Sequence, residues 1–297
     1  MGSRRWLRSV GFVARAELAL VRKSRALALG TLVFSVAVAA IVWTVDPPER
    51  GTSTGNLVAI DPSVADVSST AGVIYVLAGD LPLLLVFLAV AGCCGAFAGE
   101  YERRTIRTLQ SLPVSRSAVV FGKLLGRATI LAAVVVCGLA FGAAVASYRY
   151  GLVAPGPYAA FTVVSVAFTI VLAAVVLAVS ATVSTRLQAI AFSLGPLLIV
   201  WVVGVEPGLG PTLRSPLPIQ PYHLLVAEVH DHLFALPRFE AVLAVESVSV
   251  IAEIESAEDF ESGGPVYLRR GGAIAILAAW FVTSLSIAVG VHRRRDL

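Results

Sequence analysis

Six stretches of this chain, each near the length of a bilayer crossing, hold no charged residue: 26–45, 81–98, 128–147, 158–183, 189–205 and 272–291. A hydrocarbon core about 30 Å thick takes roughly 20 helical residues per crossing. Inside it every backbone N–H and C=O must find a partner within the protein, which leaves helices as the natural form for such runs. With 57% apolar and 14% charged residues over 297 positions, too little polar surface remains to cover a water-soluble globule. The fold class expected is an all-α integral membrane protein of six transmembrane helices, forming a single transmembrane domain over 1–297.

Charge sets the expected orientation. Assigning alternate connections to alternate sides puts 17 Lys/Arg and 4 acids on one side, and 6 Lys/Arg and 14 acids on the other, with Asp80 in a span. The basic side is then cytoplasmic, which places both termini inside a cell membrane. Residues 1–25 read as an amphipathic entry helix. Val10, Val13, Ala14, Leu18 and Val21 share one face, and Arg15, Arg22, Lys23 and Arg25 lie largely on the other, as for a helix in the inner interface. No convincing cleavage site follows the first run, so it reads as a retained span.

The connections differ in character. Residues 46–79 form an outer loop, in which "AGVIYVLAG" can dip back toward the membrane. Asp80 is the one acid near a span, where a carboxylate is costly and reads as functional; "GDLP" reads more simply as a helix start with Asp80 as its cap and Pro82 in the first turn. Gly138 and Gly142 have the GxxxG spacing that lets another helix approach closely. The large extracytoplasmic loop 206–271 is proline-rich at its start and ambiguous afterwards, and short outer helices capping the bundle are expected there.

Between the second and third runs lies "GEYERRTIRTLQSLPVSRSAVVFGKLLGR", residues 99–127. Glu100 and Arg104 have the favourable i,i+4 order for a pair on a helix continuing out of the second span. Ile106, Leu109 and Leu112 make an apolar ridge, Pro113 ends the segment, and Ser115 can cap a new helix that runs through Arg116, Lys123 and Arg127 into the third run. On the residues alone two readings stand level: a hairpin resting on lipid with its arginines at phosphates, or a knob that docks a soluble partner.

This run resembles the coupling segment of ABC-2 type permeases, the six-helix subunits of ABC exporters, in which Gly-Glu, a basic Thr-containing helix, "SLPVSR" and "GKLLGR" recur together. The likeness extends to the entry helix, to "GDLPLLL" and to "STRLQAIA". Within that superfamily it looks most like the permeases associated with nitrous oxide reductase maturation and their archaeal relatives. The resemblance implies a permease acting with a cytoplasmic ABC ATPase subunit, as a homodimer or as a heterodimer with a second permease. It further implies an ATPase contact at Glu100, Glu102, Arg103, Thr105, Leu109, Leu112, Pro113 and Arg116, with a smaller one over Ser184 to Gln188.

Other chemistry finds little footing. No GxxxxGK[ST] phosphate loop occurs, so ATP hydrolysis belongs to a partner, and neither HExxH nor GxSxG is present. His230, Asp231 and His232, with His223 and Glu228 nearby, are the one candidate for an outer metal site; alternating histidines in a loop of this kind read more simply as solvated. Cys93, Cys94 and Cys137 fall inside spans, where packing is their ordinary use. No cofactor is implied. The basic segments lack interleaved aromatics, so membrane lipid and not nucleic acid is their partner. The alternative functions are a membrane-embedded hydrolase using the outer His/Glu cluster, and a non-transporting scaffold.

Overall fold

The computed structural model describes residues 3–22, 25–44, 69–104, 114–151, 153–205, 216–230, 233 and 269–294. Among them the regular elements are helices: α1 (Ser3–Arg22), α2 (Arg25–Thr44), α3 (Ser69–Cys93), α4 (Ala98–Glu102), α5 (Arg116–Tyr150), α6 (Pro155–Thr182), α7 (Arg186–Val205), α8 (Ile219–Ala227) and α9 (Arg270–Arg294). Five of these regions are long and apolar enough to cross a membrane: α3 with its continuation to Glu102, α5, α6, α7 and α9. α2 contributes a shorter apolar stretch, Ala28–Thr44.

α3 and α6 form the centre. They touch each other, and α6 also packs against α5, α7, α8 and α9. Their small and β-branched residues, such as Ala89, Val176 and Ala173, are wholly buried. α7 instead turns Leu187, Phe192, Ile199 and Val202 outward. In water such a helix would be an aggregation hazard; against lipid an apolar outer face costs nothing.

α5 has 35 residues. At 1.5 Å rise per residue it is about 52 Å long, well beyond the hydrocarbon thickness. The third apolar run and the charged residues before it, Arg116 to Arg127, are therefore one continuous helix. Ser115 starts it, its Oγ accepting from the Ala118 amide at 3.3 Å. Two glycine pairs on α5 admit close neighbours. A Cβ at Gly122 would lie 2.5 Å from the Val13 Cβ, and one at Gly126 would lie 2.8 Å from the Glu17 Cβ, so α1 crosses here almost in backbone contact. Gly138 and Gly142 do the same for α2, where Phe34 and Val38 occupy the space a Cβ would need. Trp6 fastens α1 further, donating to Ser117 Oγ at 3.2 Å and meeting Phe121 edge-on. The apolar face of the entry helix thus rests on α5, with Val10, Val13 and Ala14 buried. Leu7, Phe12 and Leu20 point outward.

Two expectations are corrected in α3. The helix begins at Ser69, not near Asp80, so "AGVIYVLAG" is its first half and Asp80 is an exposed mid-helix residue with no capping role. Pro82 sits within the helix. Lacking an N–H, it frees the carbonyl four residues back, at Ala78. His223 supplies the missing donor, its Nε2 lying 2.9 Å from that oxygen.

α8, which carries His223, lies in the proline-rich segment that follows α7. It is not laid over the bundle end. Tyr222 is 0% exposed, stacks on Phe168 at 4.6 Å between ring centroids and shares a 3.2 Å hydrogen bond with Ser165. The short helix is a plug between α3, α6, α7 and α9.

Candidate functional site

The strongest concentration of charge lies where α1, α4 and α5 meet. Lys123, on α5, is wholly buried. Its Nζ lies 2.9 Å from Glu17 Oε1 and also bonds Glu100 Oε1. Arg127, one turn further along α5, donates from Nε to Glu17 Oε2 at 2.9 Å and from Nη1 to the Gly92 carbonyl. Two acids and two bases from three elements therefore close a neutral cluster. Lys123 also lies 5.3 Å from the centre of the Phe97 ring, an added cation–π contact. At Glu17 burial works to raise the carboxyl pKa, but the Lys123 and Arg127 charges and their hydrogen bonds outweigh it, so the value falls below the ordinary 4.5.

Local structure explains how Glu100 reaches this cluster. α3 stops at Cys93 and the chain turns through Cys94 to Phe97 before α4 begins. Ser180 of α6 stitches the break: its Oγ accepts from the Phe97 and Ala98 amides at 3.1 and 3.0 Å and donates to the Cys94 carbonyl at 2.7 Å. A side chain from another helix thus does the work of an N-cap. The turn swings Glu100 toward α5. Glu100 and Arg104 were expected as an i,i+4 pair; instead α4 ends at Glu102, Arg104 adopts left-handed backbone with φ 56°, and Glu100 bonds Lys123.

Three further helix ends gather around the cluster. Glu102 Oε2 accepts from the Arg186 amide at 3.1 Å, placing a carboxylate at the N-terminus of α7. That terminus carries its own capping box. Thr185 Oγ1 accepts from the Gln188 amide at 3.3 Å, while Gln188 Oε1 accepts from the Thr185 and Ser184 amides at 3.3 and 3.2 Å. Arg116 closes the other side, donating to the last carbonyls of α9, His292 and Arg293. His292 meets the Tyr101 hydroxyl at 3.4 Å and the Phe97 ring at 5.1 Å. The end of one span, the starts of two others and the entry helix are bonded into one joint.

Of the residues singled out from the sequence, Glu100, Glu102, Arg116, Ser184 and Gln188 take part in this joint, and Arg103 lines a cleft beside it. Thr105, Leu109, Leu112 and Pro113 lie outside the described residues. Glu17, Lys123, Arg127 and Ser180 were not anticipated. Two had a legible signal: Glu17 is the one acid in an otherwise basic entry segment and falls on its apolar face with Val10, Val13 and Ala14, and Lys123 is one of only two lysines in the chain. The outer His/Glu group does not assemble as a metal site among the described residues. His223 points inward at Ala78, and Glu228 pairs with Arg270 at 3.3 Å; Asp231 and His232 lie outside the described residues.

Among the described residues the Glu17, Glu100, Lys123 and Arg127 charges of the joint pair with one another. It is built to hold helices together. Among curated proteins none matches the chain. The family described as ABC-2 family transporter protein matches it over residues 12–297, nearly the full length and including Glu17, Glu100, Lys123 and Arg127. This multi-pass membrane chain belongs to the ABC-2 family of transporter proteins.

Proposed function

We infer that the protein is the permease subunit of an ABC transporter, in which ATP binding and hydrolysis by a separate cytoplasmic ATPase drive export or another transmembrane movement. The observation that carries this reading is the joint itself. The residues that the resemblance assigns to ATPase contact, Glu100 to Arg116 and Ser184 to Gln188, come from segments far apart in sequence and are tied by the Glu102–Arg186 bond. A push on the loop after α4 would reach α1 and α5 through Glu100 and Lys123, α7 through Glu102, and α9 through Arg116. Small displacements at one end then bias whole helices between two packings.

In this reading all six apolar helices cross the membrane, α2 included, the joint lies on the cytoplasmic side with both termini, and two permease copies or two related permeases face a pair of ATPases. The test is to purify the affinity-tagged chain from its own membranes and identify what accompanies it. A chain with a phosphate loop should be recovered in near-equal amount, and the complex should hydrolyse ATP. Recovery of the permease alone, with no ATP hydrolysis in the membranes dependent on it, would contradict the assignment.

A further inference from the structure

Beside the joint is a cleft of about 330 Å3 lined by Arg103, Arg127, Arg186, Glu17, Glu100 and Leu20 among others. Its size is at the lower end of ligand pockets, which run to roughly 300–1,000 Å3. Three guanidinium groups and two carboxylates border it, but their engagements differ. Glu17, Glu100, Lys123 and Arg127 neutralise one another. Among the described residues the side chains of Arg103 and Arg186 make no hydrogen bond or ion pair; Arg186 is held only through its backbone amide, and its Nε runs over Gly95, 3.8 Å from where a Cβ would be. Glu102, the remaining acid nearby, is turned to the α7 N-terminus and does not line the cleft. The cleft thus carries two uncompensated positive charges in the planar, forked form that suits a phosphate. One acceptor also waits unmet: Glu100 Oε2 is buried and has no partner.

We propose that this cleft binds a phosphodiester anion carrying a hydroxyl or ammonium donor, the chemistry of an anionic glycerophospholipid headgroup. Arg103 and Arg186 clamp the phosphate, and the donor meets Glu100 Oε2. Leu20, 74% exposed, lines the cleft from the entry helix and offers an acyl chain an apolar neighbour. The same chemistry in a soluble phosphate would reach the cleft from the aqueous side.

The experiment uses the purified full chain in neutral detergent without any ATPase, so its result is independent of the partner assignment. Thermal unfolding is followed during titration with dihexanoyl phosphatidylglycerol, dihexanoyl phosphatidylcholine and inorganic phosphate in separate arms. Saturable stabilisation by phosphatidylglycerol is expected, with the apparent Kd raised at least about tenfold in Arg103→Gln/Arg186→Gln, since a hydrogen bond to a charged group is worth roughly 1.5–3 kcal/mol. The unliganded melting temperature of that variant should match wild type, and Arg5→Gln/Arg8→Gln, which removes equal charge elsewhere, should bind as wild type. Phosphatidylglycerol acting well below the phosphate concentration identifies the lipid as the source; equal potency of inorganic phosphate identifies the soluble anion at the same site. The proposal is overturned if Arg103→Gln/Arg186→Gln binds phosphatidylglycerol like wild type, if both double variants weaken it equally, or if neither ligand stabilises the chain.

Discussion

Lys123 is the residue on which the joint turns, because it bonds Glu17 and Glu100 at once. Removing one member of a buried pair leaves an uncompensated charge, and such deletions cost about 3–5 kcal/mol. Lys123→Met should therefore lower the melting temperature in detergent sharply, and Lys123→Met combined with Glu17→Gln and Glu100→Gln should recover part of the loss. The recovery is the informative outcome, since simple loss of packing at position 123 would not be relieved by altering the acids. Glu17 adds a pH dependence of definite sign. Its native pKa lies below the ordinary 4.5, so its contribution is fully present above that value and is lost as pH falls through the native pKa. The wild-type melting temperature should fall more steeply below pH 4.5 than that of Glu17→Gln; parallel curves would contradict the placement of Glu17 between Lys123 and Arg127. These residues were only half legible in the sequence. A lone acid on an apolar face and a rare lysine are visible there, but that the two meet across 106 residues depends on the Gly122–Gly126 seam that brings α1 against α5, and sequence spacing alone does not say which partner a glycine pair admits.

Among the elements, α3 and α8 correct one another. Pro82 removes a donor and His223 replaces it, so each is explained only by the other. His223→Ala should cost about 1–3 kcal/mol by stranding the Ala78 carbonyl. In a Pro82→Ala background the restored amide at position 82 can take that carbonyl, and His223→Ala should cost measurably less; a double-mutant cycle of unfolding free energies reads the difference. Additive costs would contradict the exchange of donors. Asp80, exposed and in mid-helix, should accept either Asn or Ala with a change within about 0.5 kcal/mol. The local residues mislead here for a physical reason. A Gly-Asp-Leu-Pro run carries every local mark of a helix start, and what overrides it is tertiary: a histidine more than 140 residues away satisfies the carbonyl that proline would otherwise leave bare. The long apolar helices were legible because lipid leaves so few alternatives, and so was the start of α5, where Ser115 caps a helix that runs on through Arg116, Lys123 and Arg127; the start of α3 was not.

The whole molecule is a membrane bundle with a polar joint at one end and a buried plug near α3, α6 and α9. The proposed orientation puts the joint inside the cell, so a cysteine introduced at residue 2 should resist an impermeant thiol reagent in intact cells while one at residue 216 should react; the opposite pattern would invert the bundle. Membership of the ABC-2 family was foreshadowed by residues 99–127, since the "SLPVSR" and "GKLLGR" pieces are local strings. The joint was not, because it is made of contacts among helices far apart in the sequence. The most direct measurement of the central claim, that the segment after α4 is where the ATPase docks, is recovery of the ATPase on the tagged permease carrying Leu109→Asp and Leu112→Asp. Two charges at the centre of a desolvated contact should cost roughly 2 kcal/mol or more each. The account predicts that the ATPase is lost while the permease remains at normal abundance in the membrane. Unchanged recovery at normal abundance would contradict it.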